Sequence, residues 1–270
     1  MSETRRVDIF TVAGIAAVAE VVTTLLHEGL GHGGACLLVH GRPLGWGAYY
    51  FDCGEDGLPV WAVRAVAAAG STVNLAVAAL LLPVLDARLK ASGRHGAGTV
   101  FLWLMVAMNA FTWAGYFFFS GAAGIGDWGP DGVLKGVSQP LVWRIPMAVI
   151  GMGLYLGLAR FLATRLTTLT GSAHEATMRA ISWTAYATAG VVAILVGLLN
   201  PQGLIIVLIS SMASSLGGDS GLFWGLWWRD RARAGEGLDF GLPRSWMWII
   251  AGIAATGLFA WYFGPTLKLT

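Results

Sequence analysis

Residues 8–33 read DIFTVAGIAAVAEVVTTLLHEGLGHG, and the interpretation of the whole chain starts from this stretch. Residues 8–30 are mainly apolar and are numerous enough to span a hydrocarbon core of about 30 Å. The same stretch ends with two His and a Glu, which are costly to place in a membrane and mark functional sites by default. We therefore expect a membrane-spanning helix that carries a polar site near its end.

The composition of the complete chain agrees with this interpretation. Of its 270 residues, 56% are hydrophobic and only 12% are charged, whereas a soluble domain carries about 25% charged residues. The net charge of +2 does not favour nucleic-acid binding, so membrane lipid is the expected partner. We predict an all-α, polytopic integral membrane protein of about seven spans, at residues 8–30, 59–84, 98–120, 139–162, 180–200, 203–228 and 245–264.

The basic residues predict the orientation. With the N-terminus in the cytoplasm, twelve Lys and Arg lie in inside segments and five in outside segments, as the positive-inside rule requires. The C-terminus is then outside, and a bacterial inner or plasma membrane is expected. Cys36 and Cys53 both fall in the first outside loop, where either a disulfide or two free thiols is compatible with the sequence.

The segment His27-Glu28-Gly29-Leu30-Gly31-His32 resembles a zinc helix in composition but not in spacing. In H-E-x-x-H the two His are four apart and share a face, and the Glu activates the metal-bound water. Here they are five apart, which separates them by about 140° on a regular α-helix. A π-type turn would bring them to one face, and otherwise the pattern fits a polar helix end.

Catalytic zinc usually has three protein ligands and a water. The first candidate for the third ligand is Asp127, which follows the third span at the depth expected for His27. The second choice is Asp219 in the sixth span, where a polar residue at a helix contact is the alternative role. Glu20 lies before His27 in the same span. It fits either a residue that hydrogen-bonds to a metal ligand or a buried polar group at a helix contact.

Together these residues resemble the site-2 protease family of intramembrane zinc metalloproteases. The resemblance rests on His27-Glu28…His32 in the first span, on residues 69–75 (AGSTVNL), and on Asn109 followed by Gly126-Asp127. It covers residues 10–130, and the motifs follow each other in the same order as in the family. The His spacing is longer than in the family, and Ser71 stands where the family usually has Pro. The resemblance implies a three-helix core at residues 1–133, followed by a four-helix extension at 134–270.

The resemblance also implies roles. The chain would be a Zn²⁺-dependent protease acting on a transmembrane protein substrate, laid as an extended strand against residues 44–51. The implied zinc ligands are His27, His32 and Asp127, and the implied general base is Glu28. Asn74 and Asn109 would supply supporting amides.

Two other classes of function remain open from the sequence. Seven spans with intramembrane acids also suit a transporter or channel, and the unmatched second half allows a non-catalytic accessory subunit of a membrane complex. The sequence does not determine the oligomeric state. Metal content, and the effect of Glu28→Gln on hydrolysis against transport, separate these hypotheses.

Overall fold

The computed structural model describes residues 7–91, 95–171, 175–201, 203–204, 210–228 and 240–269. Within these residues, six helices are long and apolar enough to cross a membrane. We number them α1 Ile9–Leu38, α2 Val60–Lys90, α3 Ala97–Ala123, α4 Pro140–Thr170, α5 Glu175–Gly197 and α6 Trp246–Phe263. They match the predicted spans one to five and seven, so a mainly helical chain compatible with membrane insertion is confirmed.

The predicted sixth span is not a single helix in the part of it that the structure describes. Residues 210–228, which we call the interrupted segment, contain a π-helical turn at Ala213–Gly217, a short helix at Ser220–Trp224 and a 3₁₀ turn at Gly225–Trp228. Ser and Gly dominate this segment. Both are weak helix formers, because Gly loses more backbone entropy and Ser competes for backbone hydrogen bonds. A count of seven spanning helices is therefore not confirmed.

Part of the orientation prediction lies outside the described residues. This applies to six of the twelve inside basic residues, namely Arg5, Arg6, Arg94, Arg229, Arg231 and Arg233.

A small sheet lies beyond the end of α1 and is an addition to the predicted all-α fold. Strands β1 Arg42–Gly47 and β2 Tyr50–Gly54 form an antiparallel hairpin, and β3 Leu267–Lys268 pairs with the other side of β1. The strand order is β2-β1-β3, so β1 is central. Among the described residues, the outer edge of β2 has no strand partner.

The two ends of the chain tie α1 and α6 together in parallel. At their starts, the amide of Asp8 donates to the carbonyl of Leu242 at 2.8 Å. At their ends, the amide of Ala48 donates to the carbonyl of Phe263 at 2.9 Å. Between these points the backbones touch, because a Cβ on Gly14 would lie 2.3 Å from the carbonyl oxygen of Trp248. The first and last helices thus start at one end of the bundle and finish at the sheet.

Burial is uneven across the helices. α3 supplies much of the core, including the fully buried Trp103, whose indole donates to the carbonyl of Leu162 at 3.1 Å. By contrast, α4 and α6 expose large apolar side chains such as Ile150 and Trp261. Monomeric soluble proteins rarely expose contiguous apolar surface on this scale, so these faces suit contact with lipid.

Cys36 and Cys53 form a disulfide, which decides the alternative that the sequence left open. The bond joins the last turn of α1 to β2, with a Cα–Cα distance of 6.0 Å. Gly41 makes room for it, since a Cβ there would lie 2.6 Å from the sulfur of Cys53. The disulfide therefore fixes the hairpin against the end of the helix that carries His27 and His32.

Candidate metal centre

The two His share one face of α1 because the helix is π-helical over Leu26–Gly33. The wider turn compensates for the five-residue spacing, as i→i+5 hydrogen bonding predicts. The Nε2 atoms of His27 and His32 lie 3.1 Å apart, with their rings edge to face. The segment also packs closely on α2, since a Cβ on Gly31 would lie 2.5 Å from the Cα of Gly70.

Asp127 reaches the same point from the loop after α3. Its Oδ2 lies 3.1 Å from Nε2 of His27 and 3.3 Å from Nε2 of His32. The loop turns back through Gly124 and Gly126, which both have positive φ, a conformation that favours glycine. The indole of Trp128 donates to Oγ of Ser71 at 2.8 Å and fixes the loop to α2.

A chain of hydrogen bonds orients His27. Its Nδ1 lies 2.6 Å from Oδ1 of Asn74. The amide nitrogen of Asn74 donates to Oδ1 of Asn109 at 2.8 Å, and that of Asn109 donates to Oγ1 of Thr23 at 3.0 Å. All four side chains are buried, so helices α1, α2 and α3 contribute to a single polar network.

These partners determine which ring nitrogens carry hydrogen in the neutral imidazoles. Nδ1 of His32 faces the carbonyl of Val66 at 2.8 Å and must donate, because a carbonyl only accepts. The amide of Asn74 uses its nitrogen elsewhere, so its oxygen accepts from Nδ1 of His27. Both Nε2 atoms are then left as acceptors. Two imidazole lone pairs and a carboxylate oxygen therefore converge on one point.

The carboxylate of Asp127 adds a negative charge to the two imidazole lone pairs. Burial raises the pKa of the Asp127 carboxyl, whereas His32 and His27, when protonated, lower it, and the net pKa lies below the usual value for Asp. With both imidazoles neutral, the buried Oδ2 of Asp127 has no hydrogen-bond donor among the described residues. Such a set of acceptors is stable when a cation lies between them.

Glu28 lies beside this point without joining the hydrogen-bond network. Its Oε2 is 4.0 Å from Nε2 of His32, and this buried atom has no hydrogen-bond donor in the described part of the chain. Ligand atoms of His27, Glu28 and His32 lie within 4.8 Å of one another. Glu28 is thus placed next to the three converging acceptors rather than among them.

A cavity of about 1010 Å³ opens onto the site. Its walls include Glu28, His32 and Asp127, residues 50–53 of β2, and Ser214 and Gly217 of the interrupted segment. The predicted substrate edge at residues 44–51 is wrong for residues 44–47, because they lie in β1, which is paired on both sides. Tyr50 and Phe51 lie in β2. The free edge that faces the cavity belongs to β2.

The structure places the second-choice ligand Asp219 elsewhere. Its carboxyl group is buried and contacts that of Glu20, one of the two acids in α1. Glu20 is therefore a packed polar group, which is one of its two predicted roles, and its polar partner is Asp219.

Sequence reasoning did not identify several residues that shape the site. Thr23 lies four residues before His27 on α1, and Tyr116 lies seven after Asn109 on α3, so helical spacing was the available signal. Tyr116 stacks on the ring of His27 with centroids 4.8 Å apart. Gly70 lies within the motif at residues 69–75, but the motif assigns it no role of its own, and a Cβ there would lie 2.5 Å from Nε2 of His32 and 2.6 Å from Nε2 of His27.

Comparison with known proteins returned no relative: no family model, curated protein or solved structure matches this chain.

Proposed function

We propose that the chain is a zinc-dependent intramembrane hydrolase of the site-2 protease type. The observation that carries the proposal is the convergence of Nε2 of His27, Nε2 of His32 and Oδ2 of Asp127 at separations of 3.1, 3.1 and 3.3 Å. None of the three atoms carries a hydrogen in the arrangement set by Asn74 and Val66.

The donor set fits zinc. Two ligands at about 2.0–2.1 Å from a tetrahedral ion are about 3.3 Å apart, which matches the observed separations. Two imidazoles and one carboxylate form the usual protein part of a catalytic zinc site, with a fourth position for water. Zinc held by these residues would act as a Lewis acid and lower the pKa of a bound water to about 7.

Glu28 is suited to proton transfer. Its buried and unpaired Oε2 can accept a proton from a water molecule at the site and deliver it to the leaving amine. Asn74 and Val66 fix the tautomers of the two imidazoles, so Asn74 acts as a positioning residue. Asn109 holds Asn74 in turn.

A peptide segment is the substrate class that the cavity favours. The outer edge of β2 offers unpaired backbone groups, which recognise an extended chain by strand addition. A transmembrane helix must unwind to use this edge, because its carbonyls are already hydrogen-bonded. The disulfide to Cys36 holds β2 beside the two His, so a strand added there would pass along the cavity.

We further propose seven crossings, one of them through the interrupted segment. α5 ends near the sheet, where the amide of Asn200 lies 3.4 Å from Oγ1 of Thr266, whereas α6 starts beside Asp8. The chain between them must return to the other end of the bundle. Ser210 donates to the carbonyl of Tyr49 at the sheet, and broken helices in membranes are tolerated where they line a cavity.

The predicted orientation places the sheet and the site toward the outside. A disulfide between Cys36 and Cys53 suits that side, because disulfides persist in oxidising compartments. A bacterial inner or plasma membrane, with the N-terminus in the cytoplasm and the C-terminus outside, remains the proposal for localisation.

The test combines metal content with hydrolysis. Wild-type protein and Glu28→Gln, purified in detergent, are analysed for zinc and incubated with fluorescently labelled casein. We expect about one zinc per chain in both and a loss of hydrolysis in Glu28→Gln of about 100-fold or more. Glu175→Gln, at the start of α5, is the matched control and should behave as wild type.

Two results would contradict the proposal. The first is wild-type protein that binds no zinc. The second is zinc-loaded protein in which Glu28→Gln hydrolyses as fast as wild type. Zinc-loaded protein that cleaves nothing but moves a solute across vesicles, in a Glu28-dependent manner, would favour the transporter hypothesis instead.

A further inference from the structure

A second pair of buried acids lies near the interrupted segment. Glu20 is 4% exposed and Asp219 is 2% exposed, and their carboxyl groups are in hydrogen-bonding contact. Asp219 begins the short helix after the π-helical turn, and its amide donates to the carbonyl of Ser215 at 2.7 Å. The contact therefore links α1 directly to the break in this segment.

The pair has no basic partner in the part of the chain that the structure describes. The charged group that acts on each carboxyl there is the other one, and both carboxyls act on the hydroxyl of Tyr49. Ionised carboxylates only accept hydrogen bonds, and like charges in contact away from water cannot both persist. A hydrogen bond between them requires that one carboxyl carries a proton.

Tyr49 supplies an independent observation at the same place. It is 3% exposed, and its hydroxyl has no hydrogen-bond partner among the residues that the structure describes. Its ring packs in one cluster with Ala17 and Val21, which flank Glu20 on α1. The hydroxyl lies within electrostatic range of both Glu20 and Asp219. An unpaired, buried donor thus faces the acid pair.

The other tyrosines near Asp219 are already engaged. The hydroxyl of Tyr155 donates to the carbonyl of Gly218 and accepts from the amide of Gly221. That of Tyr186 donates to the carbonyl of Leu216 at 3.2 Å. Among these described tyrosines, Tyr49 is therefore the one whose hydroxyl is available to the pair.

We propose that Glu20, Asp219 and Tyr49 form a proton-binding site that is separate from the metal centre. The bound proton joins the two carboxyls and holds the interrupted segment against α1. This segment carries Ser214, Gly217 and Gly218 in the cavity wall, so loss of the proton would release part of that wall. The site contains no imidazole, and all of its ligand atoms are oxygens.

The proposal is tested by infrared spectroscopy of the purified protein at neutral pH. A protonated carboxyl has a carbonyl stretching band that an ionised carboxylate lacks. We expect wild type to show this band, and Glu20→Gln/Asp219→Asn to lose a component of it. Asp56→Asn removes an exposed carboxyl and serves as the matched control, with no change in the band.

The single variant Glu20→Gln covers the case in which the double variant does not fold. It should shift the band, because the remaining carboxyl of Asp219 then bonds to an amide. A band that is absent in wild type, or unchanged in both variants, would overturn the proposal. Loss of the band on adding Na⁺ or K⁺ would also overturn it and indicate a cation site.

Stability against pH gives a second measurement. The folded pair retains a proton that separate carboxyls in water release at neutral pH, so raising the pH should lower the Tm of wild type relative to the double variant. Parallel Tm curves for the two proteins would contradict the proposal. Zinc content should be equal in both, which keeps this test independent of the metal centre.

Discussion

Two groups of buried acids lie on or against α1 and differ in what surrounds them. Glu20 and Asp219 meet each other with a tyrosine hydroxyl nearby, whereas Glu28 and Asp127 lie beside two imidazoles. The first group supplies only oxygen atoms. In our proposal its two carboxyls share a proton, which removes one of their two negative charges. The second supplies two nitrogen lone pairs held in place by hydrogen bonds. Oriented nitrogen lone pairs, rather than buried carboxylates alone, are therefore what favours a metal in the second group over a proton.

The largest change in zinc binding is expected from Gly70→Ala. The added Cβ would lie 2.5 Å from Nε2 of His32 and 2.6 Å from Nε2 of His27, in the space that an ion bound to both would use. We expect zinc affinity to fall by about 100-fold or more. This loss exceeds the usual effect of replacing a residue that hydrogen-bonds to a metal ligand. Competition with a chromogenic zinc chelator measures the affinity.

Gly34→Ala is the matched control for this prediction. It lies just after the π-helical turn, and a Cβ there meets no atom within 4 Å. Its zinc affinity should equal that of wild type. If Gly70→Ala, eluting as a folded protein, bound zinc as tightly as Gly34→Ala, the converging atoms would not be the metal ligands.

An intermediate effect is expected from Asn74→Leu. The substitution removes the acceptor that orients Nδ1 of His27 and leaves the donor of that ring buried without a partner. Loss of a residue that hydrogen-bonds to a metal ligand typically lowers metal affinity by about 10- to 100-fold. The same chelator competition measures it.

Asn109→Leu tests the order of the network. Asn109 contacts Asn74 rather than the imidazole, so its replacement should weaken zinc binding less than Asn74→Leu does. The reverse order would show that Asn74 does not act by positioning His27. Neither variant should alter the infrared band assigned to Glu20 and Asp219.

The smallest effect on zinc is expected from removing the disulfide. In Cys36→Ser/Cys53→Ser, zinc content should stay at the wild-type value, because no cysteine belongs to the donor set. Stability should fall, since the bond spans 17 positions and closing a loop of that size contributes about 3 kcal/mol to the free energy of unfolding. Thermal unfolding in detergent measures the loss, and a double variant without zinc would contradict the assignment of ligands.

Much of the fold follows from patterns that the sequence displays. Apolar stretches near 20 residues or longer predicted the six long helices, because a membrane requires such lengths. The five-residue His spacing left a π-helical turn and a polar helix end as alternatives, and Leu26–Gly33 is π-helical. His27, His32 and Asp127 were selected by residue type and expected depth, and the structure brings their side chains together, while their role as metal ligands remains a prediction.

Other features depend on contacts that no local pattern reveals. The interrupted segment is apolar enough to resemble a span, but its Ser and Gly residues form turns instead of one helix. Strand β3 pairs with β1 across more than 200 residues, and this pairing leaves the free edge on β2 rather than on β1. A backbone carbonyl such as that of Val66 cannot be recognised from residue type, and the contact between Asp219 and Glu20 joins residues that are far apart in the sequence.

X-ray absorption at the zinc edge of the purified, zinc-loaded protein identifies the atoms that bind the metal. We expect about one zinc per chain, coordinated by two imidazole nitrogens and by oxygen at about 2.0–2.1 Å, with no sulfur. Asp127→Ala and His27→Ala should lose this signal, whereas Asp219→Asn should keep it. Sulfur coordination, or a spectrum that Asp127→Ala and His27→Ala leave unchanged, would contradict the assignment of the metal centre.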